Sequence, residues 1–165
     1  MPDLCFIPLT SDYLQILYVW LQKPHVREFW DDGNRSLEQV KRHYFEPESD
    51  LQRYLGIFQK TPIAYLQTYE IPKSGHASSE WASDQTVGID FFIGEESFLG
   101  RGVGTRFLQA ALNLCQKKYS TVVVDPELQN ARAIHIYRKV GFQDAGYWNS
   151  PESNKRYLMM RKSLS

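Results

Sequence analysis

The chain has 165 residues, of which 42% are hydrophobic and 23% are charged, as in an ordinary globular domain. Nineteen basic and nineteen acidic side chains give a formal net charge of zero, which argues against nucleic acid or an anionic membrane as the main partner. Cys5 and Cys115 match neither a disulfide framework nor a metal site, and no apolar run could span a membrane. Because the N-terminus lacks signal-peptide features, we predict one cytoplasmic domain over residues 1–165, without a metal.

The first elements are a short strand and two helices. Residues 4–8 predict the strand, and apolar residues at helical spacing follow Ser11 and Asp12, whose side chains can cap a helix. Ser36, followed three residues later by Gln39, is the pattern of a capping box that opens the second helix.

The middle of the chain predicts strands. Residues 53–59 and 63–69 flank a short turn and indicate a hairpin. Residues 72–85 form a polar loop that contains Trp81, and such an isolated tryptophan either packs on the body of the protein or serves function. Residues 86–93 predict the next strand.

The last third alternates helices and strands. A glycine cluster at 100–104 opens a helix, and residues 121–124 form a buried strand. Asn130 caps a further helix, which Gly141 ends. Two closing strands follow at 142–147 and 157–160.

The glycine cluster lies between a strand and a helix, where backbone N–H groups can hold phosphates. By itself it is a weak signal, because glycine clusters are common in turns. A P-loop is excluded, since Thr105 and Arg106 follow the last glycine where lysine and serine or threonine are required. A dinucleotide fingerprint belongs in an early strand–helix–strand unit and has a different glycine spacing.

Two segments occur together downstream of the predicted strand 86–93: Leu-Gly-Arg-Gly-Val-Gly at 99–104 and Asn-x-x-Ala-x-x-x-Tyr-x-Lys-x-Gly-Phe at 130–142. Together they resemble the GNAT family of N-acetyltransferases. Residues 99–104 are similar to its acyl-CoA loop, although Leu99 replaces the usual polar residue. Residues 130–142 resemble the family's later motif. The resemblance implies an α/β fold, with a mostly antiparallel twisted sheet of about six to seven strands flanked by about four helices. It also implies acetyl-CoA as the cofactor and transfer of its acetyl group to a primary amine.

The same resemblance assigns the cofactor site. Backbone N–H groups of the strand 88–93 would hold the thioester and pantetheine and stabilise the oxyanion, and the glycine loop would hold the diphosphate. The cofactor-binding residues that it implies are Phe91, Phe92, Ile93, Leu99, Gly100, Arg101, Gly102, Val103, Gly104, Thr105, Asn130, Ala133 and Tyr137.

Asp90 and Tyr137 are the candidate catalytic residues. Asp90 lies in an otherwise apolar strand, where a carboxylate is costly unless it is paired, functional or facing a cleft. It could remove a proton from the amine, bind the amine as a cation, or hold a neighbouring loop. The resemblance implies that Tyr137 protonates the leaving thiolate, and the alternative is a tyrosine packed on the sheet.

The amino half narrows the resemblance to one branch of the family. Residues 18–30, Tyr-Val-Trp-Leu-x-x-Pro-His-Val-x-x-Phe-Trp, are similar to aminoglycoside 6'-N-acetyltransferases and to acyltransferases of hydroxamate siderophore synthesis. Residues 62–69 and 99–105 look more like the aminoglycoside enzymes. The siderophore enzymes usually carry histidine where residues 88–90 here read Gly-Ile-Asp.

An aminoglycoside is a polycation with sugar faces, so its site requires carboxylates and flat aromatic rings. The substrate-binding candidates are Trp30, Asp31, Tyr69, Trp81, Asp84 and Asp90. The alternatives are another acceptor (a hydroxylamine siderophore precursor, a polyamine or a protein amine) and a non-catalytic acyl-CoA-binding module. The partner is thus predicted to be a small-molecule amine, and the protein a monomer or homodimer.

Overall fold

The computed structural model of the protein describes residues 3–71 and 83–164. Trp81 and the rest of the segment 72–82 lie outside the described residues. Along the chain the elements are β1 (Leu4–Pro8), α1 (Leu14–Gln22), α2 (Pro24–Arg27), α3 (Leu37–Phe45), β2 (Leu51–Phe58), β3 (Thr61–Glu70), β4 (Thr86–Ile93), α4 (Val103–Cys115), β5 (Thr121–Val124), α5 (Ala131–Val140), β6 (Gln143–Asn149) and β7 (Arg156–Ser163).

The strands form one seven-stranded mixed sheet in the order β1-β2-β3-β4-β5-β7-β6. β1 pairs with β2, β5 with β7 and β6 with β7 in antiparallel fashion, whereas β4 and β5 run parallel. The predicted α/β class and the predicted number of strands are therefore confirmed.

Contacts between Cα atoms divide the chain into two compact units. The first unit consists of Met1–Thr68 and Asp90–Phe107, and the second of Tyr69–Ile89 and Leu108–Ser165. The expectation of one domain over residues 1–165 stays a prediction. No helix among residues 3–71 and 83–164 is long and apolar enough to cross a membrane. In the same residues, no group of three or more His, Cys, Asp or Glu side chains could hold a metal ion.

The first helical segment differs from its prediction. Residues Ser11–Tyr13 form a 3-10 turn, and Tyr13 occupies the N-cap of α1 without a side-chain hydrogen bond. The expectation that Ser11 or Asp12 caps α1 is therefore wrong. A second helix, α2, begins at Pro24, because the fixed φ of proline suits the first turn and its missing N–H costs nothing there.

The capping box of α3 is confirmed. The Ser36 Oγ atom accepts a hydrogen bond from the Gln39 N–H at 3.2 Å, and the Gln39 Oε1 atom accepts one from the Ser36 N–H at 2.8 Å. Two backbone donors at the start of the helix are satisfied in this way. Val40 and Tyr44 form the buried face of the helix.

Aromatic side chains fill much of the core of the first unit. Trp20 and Tyr65 are completely buried, and they pack with Tyr44 and Phe92 among the aliphatic residues of α1 and β2. Each aromatic ring removes a large apolar area from water. The buried Phe92 belongs to β4, so this core supports the strand that carries Asp90.

The glycine that ends α5 has the left-handed backbone conformation of a C-terminal cap. Gly141 has φ of +105°, and its N–H donates to the carbonyls of Arg138 and Tyr137. At the other end of α5, the Asn130 side chain accepts a hydrogen bond from the Ala133 N–H at 3.2 Å. Both predicted ends of this helix are confirmed.

Replacing Ser36 by Ala should lower the free energy of unfolding by about 1 kcal/mol, because the capping box of α3 loses one of its two hydrogen bonds. Chemical denaturation measures the change. Ser11→Ala is the matched control: this exposed serine makes no capping bond, and its loss should change stability by less than about 0.5 kcal/mol. Equal losses in the two variants would contradict the assignment.

Candidate active site

The glycine loop takes its shape from two residues with left-handed backbone. Gly100 has φ of +73° and Gly102 has φ of +75°, a region that side chains with L configuration rarely adopt. A Cβ atom built at either position would meet nothing within 4 Å. Glycine is therefore required here by backbone conformation, and the space beside the loop is open to a ligand.

The loop leads directly into α4. The first helical hydrogen bond runs from the Arg106 N–H to the Gly102 carbonyl at 3.2 Å, so Gly102 is the N-cap. The N–H groups of Val103, Gly104 and Thr105 then have no acceptor within the helix. Together with the helix dipole they favour an anion at this end, and the exposed Arg101 adds a positive charge. The loop thus fits the diphosphate of coenzyme A.

β4 continues beyond its pairing with β5. The parallel register of β4 with β5 runs from Thr86 opposite Thr121 to Gly88 opposite Val123, and β4 continues to Ile93. Of the residues in this extension, Asp90 and Phe91 are half-buried and Phe92 and Ile93 are buried. The extension contains the strand residues that the sequence assigns to the cofactor.

The end of β4 is anchored by side chains from α1 and α2. The Trp20 indole donates to Glu95 Oε1 at 2.7 Å, and this bond is the main reason that the pKa of Glu95 lies below its ordinary value. His25 Nε2 donates to the Ile93 carbonyl at 2.9 Å. These bonds hold the start of the segment that leads into the glycine loop.

β3 and β4 meet at alternate residues. The Gly94 N–H donates to the Ile63 carbonyl at 2.7 Å, and the Tyr65 ring stacks on Phe92 with centroids 5.4 Å apart. Two residues further along β3, Gln67 Nε2 donates to Asp90 Oδ2 at 3.0 Å. Since side chains alternate along a strand, this spacing places Asp90 and Phe92 on one face of β4.

Gly88, at the beginning of β4, accommodates Tyr69 of β3. A Cβ atom at residue 88 would lie 2.2 Å from the Tyr69 ring, a distance that real atoms do not reach. The glycine is therefore needed for close approach of the ring to the strand. Tyr69 itself is half-buried.

Burial raises the pKa of Asp90 to about 6, and the hydrogen bond from Gln67 opposes this rise. The group is thus a stronger base than an ordinary aspartate, yet it is ionised at neutral pH. A carboxylate with these properties can accept a proton from an amine or bind an ammonium group.

Aromatic rings surround the face of β4 that carries Asp90. Trp30 meets Tyr65 and Phe92 edge to face, with centroids 5.6 Å and 4.8 Å apart. Its indole N–H donates to the Tyr44 hydroxyl at 3.0 Å. Tyr44 also meets Tyr65 edge to face at 5.6 Å. We call these four rings, of Trp30, Tyr44, Tyr65 and Phe92, the aromatic cluster.

Asp31 makes internal contacts with both carboxylate oxygens. Oδ1 accepts a hydrogen bond from the Gly33 N–H at 2.9 Å, and Oδ2 pairs with Arg35. The side chain is only 6% exposed. These bonds order the loop before α3, and a contact of Asp31 with substrate stays a prediction.

The second unit contains Tyr137 on α5. The Tyr137 ring is buried and meets Phe142 edge to face at 5.3 Å. Asp84 lies in the exposed turn before β4, and Ala133 is half-buried on α5. The roles of these residues, and that of Asn130 towards the cofactor, stay predictions.

The structure therefore divides the predicted site residues between the two units. The first unit holds Trp30, Asp31, Asp90, Phe91, Phe92, Ile93, Leu99, Gly100, Arg101, Gly102, Val103, Gly104 and Thr105. The second unit holds Tyr69, Asp84, Asn130, Ala133 and Tyr137. Gln67, which the sequence analysis did not assign to the site, donates to the candidate base. The sequence did contain a signal for Gln67: it lies between Tyr65 and Tyr69 at alternate positions of a predicted strand, so the three side chains share one face.

A family model described as acetyltransferase (GNAT) domain matches residues 10–150. The chain belongs to the GNAT acetyltransferase family. The predicted activity, N-acetyl transfer dependent on acetyl-CoA, is thereby confirmed at this level. The match to an acetyltransferase family favours an enzyme over the alternative of a non-catalytic acyl-CoA-binding module.

Individual relatives of this GNAT protein carry a more specific name. An aminoglycoside N(6')-acetyltransferase type 1 of Klebsiella pneumoniae is 29% identical over 162 residues, covering 93% of this chain and 81% of that protein. The crystal structure of aminoglycoside acetyltransferase AAC(6')-Ib in complex with coenzyme A has a TM-score of 0.86 at 28% identity, covering 97% of this chain and 94% of that one. A complex of AAC(6')-Ib with coenzyme A and kanamycin has the same TM-score, identity and coverage.

Replacing Gly102 by Ala should raise the Michaelis constant for acetyl-CoA about tenfold, because the loop can no longer keep its left-handed conformation without strain. Steady-state kinetics with varied acetyl-CoA measures it. Gly146→Ala is the matched control, since Gly146 has φ of +124° and equally open space on its Cβ side. Both variants should lose about 1–2 kcal/mol of stability, but only Gly102→Ala should change the constant. A rise in both would contradict a cofactor role for the loop.

Proposed function

We propose that this protein acetylates a polycationic small molecule, with the 6'-amine of an aminoglycoside as the favoured acceptor. The observation that carries the proposal is Asp90, a half-buried carboxylate on a strand face shared with the aromatic cluster. A carboxylate beside flat aromatic rings suits an ammonium group carried on a sugar. The named relatives, one of them solved with kanamycin, support the same acceptor.

The loop residues act in binding and orientation. Backbone N–H groups of Val103, Gly104 and Thr105 would hold the diphosphate of acetyl-CoA, and Arg101 would add charge. The cofactor, when bound, supplies an activated acetyl group on a thiol that can leave. Fixing it at the start of α4 lets β4 orient the reacting end, because only residues 94–98, which include a 3-10 turn, separate β4 from this loop.

Asp90 moves the proton on the acceptor side. An amine attacks only when it is neutral, so its ammonium form must lose a proton first. Burial makes Asp90 a better acceptor of this proton than an exposed aspartate. The carboxylate can also hold further ammonium groups of a polycation by charge.

Tyr137 is the proposed donor to the leaving thiolate. A phenol is a weaker acid than a thiol, so it donates its proton to sulfur readily only as negative charge develops there. Its support is the position within the motif of residues 130–142 and its burial on α5. Asn130, whose side-chain oxygen caps α5, would offer its amide N–H₂ to the pantetheine.

A hydroxylamine, polyamine or protein amine is the alternative class of acceptor. The first experiment measures thiol release from acetyl-CoA with kanamycin and tobramycin beside spermidine, hydroxylysine and a lysine peptide. Turnover on the aminoglycosides at micromolar Michaelis constants, with little on the others, supports the proposal. A better acceptor among the other compounds would overturn the aminoglycoside assignment and leave the acetyltransferase assignment intact.

Asp90→Asn should lower turnover about a hundredfold and abolish the acidic limb near pH 6 in the pH profile of kcat/KM. It should also stabilise the protein. Because the folded-state pKa is raised, ionisation of Asp90 costs stability, and this cost grows as pH rises from the unfolded value through the folded one. At pH values above the folded-state pKa, the free energy of unfolding of Asp90→Asn should exceed that of the unchanged protein by on the order of 1–3 kcal/mol. Chemical denaturation measures the difference.

The exposed carboxylate of Asp12 is a matched control for this variant, and Asp12→Asn should alter neither turnover nor stability. A fall in the stability of Asp90→Asn with unchanged turnover would make Asp90 a structural residue.

Tyr137→Phe should lower kcat by about a hundredfold and leave the Michaelis constant for acetyl-CoA within about twofold, because the ring and its contact with Phe142 are kept. Steady-state kinetics separates the two constants. Tyr147→Phe, at a tyrosine that is 54% exposed, is the control and should change neither. A kcat unchanged in Tyr137→Phe would remove the acid role.

A further inference from the structure

A line of hydrogen-bonding side chains leads from the interior of the first unit to Asp90. The Tyr65 hydroxyl donates to Gln67 Oε1 at 2.9 Å, and Gln67 Nε2 donates to Asp90 Oδ2 at 3.0 Å. Arg53 of the neighbouring strand β2 carries a positive charge that opposes the rise in the pKa of Tyr65. We call Tyr65 and Gln67, between Arg53 and Asp90, the relay.

The ionised Asp90 fixes the direction of the relay. A carboxylate only accepts hydrogen bonds, so the amide N–H₂ group of Gln67 must face it. The Gln67 Oε1 atom is then left for the Tyr65 hydroxyl, which donates to it. Arg53 uses its Nη1 and Nη2 atoms elsewhere: they donate to the carbonyls of Glu46 and His43, each at 2.9 Å, and Nη2 also donates to Glu48 Oε1 at 3.1 Å.

The amide of Gln67 then has one orientation. Since its oxygen accepts from Tyr65, its N–H₂ group faces Asp90 and cannot exchange places with the oxygen without losing both bonds. Within residues 3–71 and 83–164, Asp90 accepts this hydrogen bond from Gln67 Nε2 on its Oδ2 atom. A proton cannot sit on Oδ2 without competing with the Gln67 donor, so Oδ1 is the favoured proton site.

We propose that Tyr65 and Gln67 are positioning residues for the acetyl transfer: they hold Asp90 Oδ2 as an acceptor and leave Oδ1 to take the proton from the substrate amine. In that step an N–H bond of the ammonium breaks, an O–H bond forms at Oδ1, and the electron pair stays on nitrogen for attack. The proton later passes from Oδ1 to water. The inference rests on the proposed role of Asp90 as base.

The ionisable surroundings of the relay are few. Tyr65 interacts with Tyr44, Arg53 and Asp90, and burial is the main reason that its pKa is raised. Its phenol therefore stays protonated and can donate throughout the working range of pH. For Asp90, the shifts come from burial and from Gln67. A change in the relay should consequently be read out in the titration of Asp90.

The test uses Gln67→Met and Tyr65→Phe in the full chain and measures kcat/KM for the best acceptor from about pH 5 to pH 9. Loss of the Gln67 donor should raise the acidic limb by about one pH unit, because that hydrogen bond favours the ionised carboxylate. At pH 6 the value of kcat/KM should fall about fivefold, and it should recover above about pH 8. Tyr65→Phe keeps the ring stack on Phe92, and it should move the limb in the same direction by a smaller amount.

Tyr18→Phe is the matched control. It removes the phenol of a half-buried tyrosine of α1 that packs against the same core and lies outside both the relay and the aromatic cluster, so the limb should stay in place. Asp90→Asn, measured beside these variants, separates the two proposals. If Asp90→Asn keeps both turnover and limb, the base role fails and the relay with it. If Asp90→Asn loses the limb while folded Gln67→Met and Tyr65→Phe keep it unmoved, only the relay is overturned.

Discussion

The pairing of β3 with β4 is the constraint on which the described chemistry depends. Alternate residues of β3 meet alternate residues of β4, so one register sets the contacts of Tyr65 with Phe92 and of Gln67 with Asp90. A slip of one residue would turn Asp90 to the opposite face and break both contacts. Burial of the aromatic cluster opposes such a slip, because it fixes which face of β4 lies against the core. Packing energy thus maintains the position of a charged group.

The register of β3 and β4 brings the Gln67 donor to Asp90, and this explains why a carboxylate is tolerated beside aromatic rings. A buried charge is unfavourable unless a donor compensates it, and Gln67 provides partial compensation. Complete compensation would return Asp90 to an ordinary acidity and weaken it as a base. The single donor leaves the group ionised at neutral pH but still basic, a compromise between stability and proton transfer.

The sequence was sufficient for much of this fold and for the kind of cofactor. β4, α4, β5 and α5 could be predicted because glycine loops, caps and apolar periodicity are local signals. The start of α1 was misread because Ser11 and Asp12 suit a cap, whereas both lie in a 3-10 turn and Tyr13 takes the N-cap position. Gln67 was missed because its importance depends on which residue lies opposite, and a single sequence contains no cross-strand register. Asp31 illustrates the same limit, since only the structure reveals that Gly33 and Arg35 occupy its oxygens.

The two positive-φ glycines of the loop also bear on how this protein can change. At residues 100 and 102 the surrounding volume would admit a larger side chain, so the restriction is one of handedness rather than of size. Ribosomal synthesis supplies L-residues and the achiral glycine, and glycine alone has no Cβ atom that makes this conformation costly. Substitution at residues 100 and 102 is therefore limited by the handedness of the backbone, although an added Cβ atom would meet nothing within 4 Å. Arg101 between them is exposed and has no positive φ, so its backbone imposes no such limit.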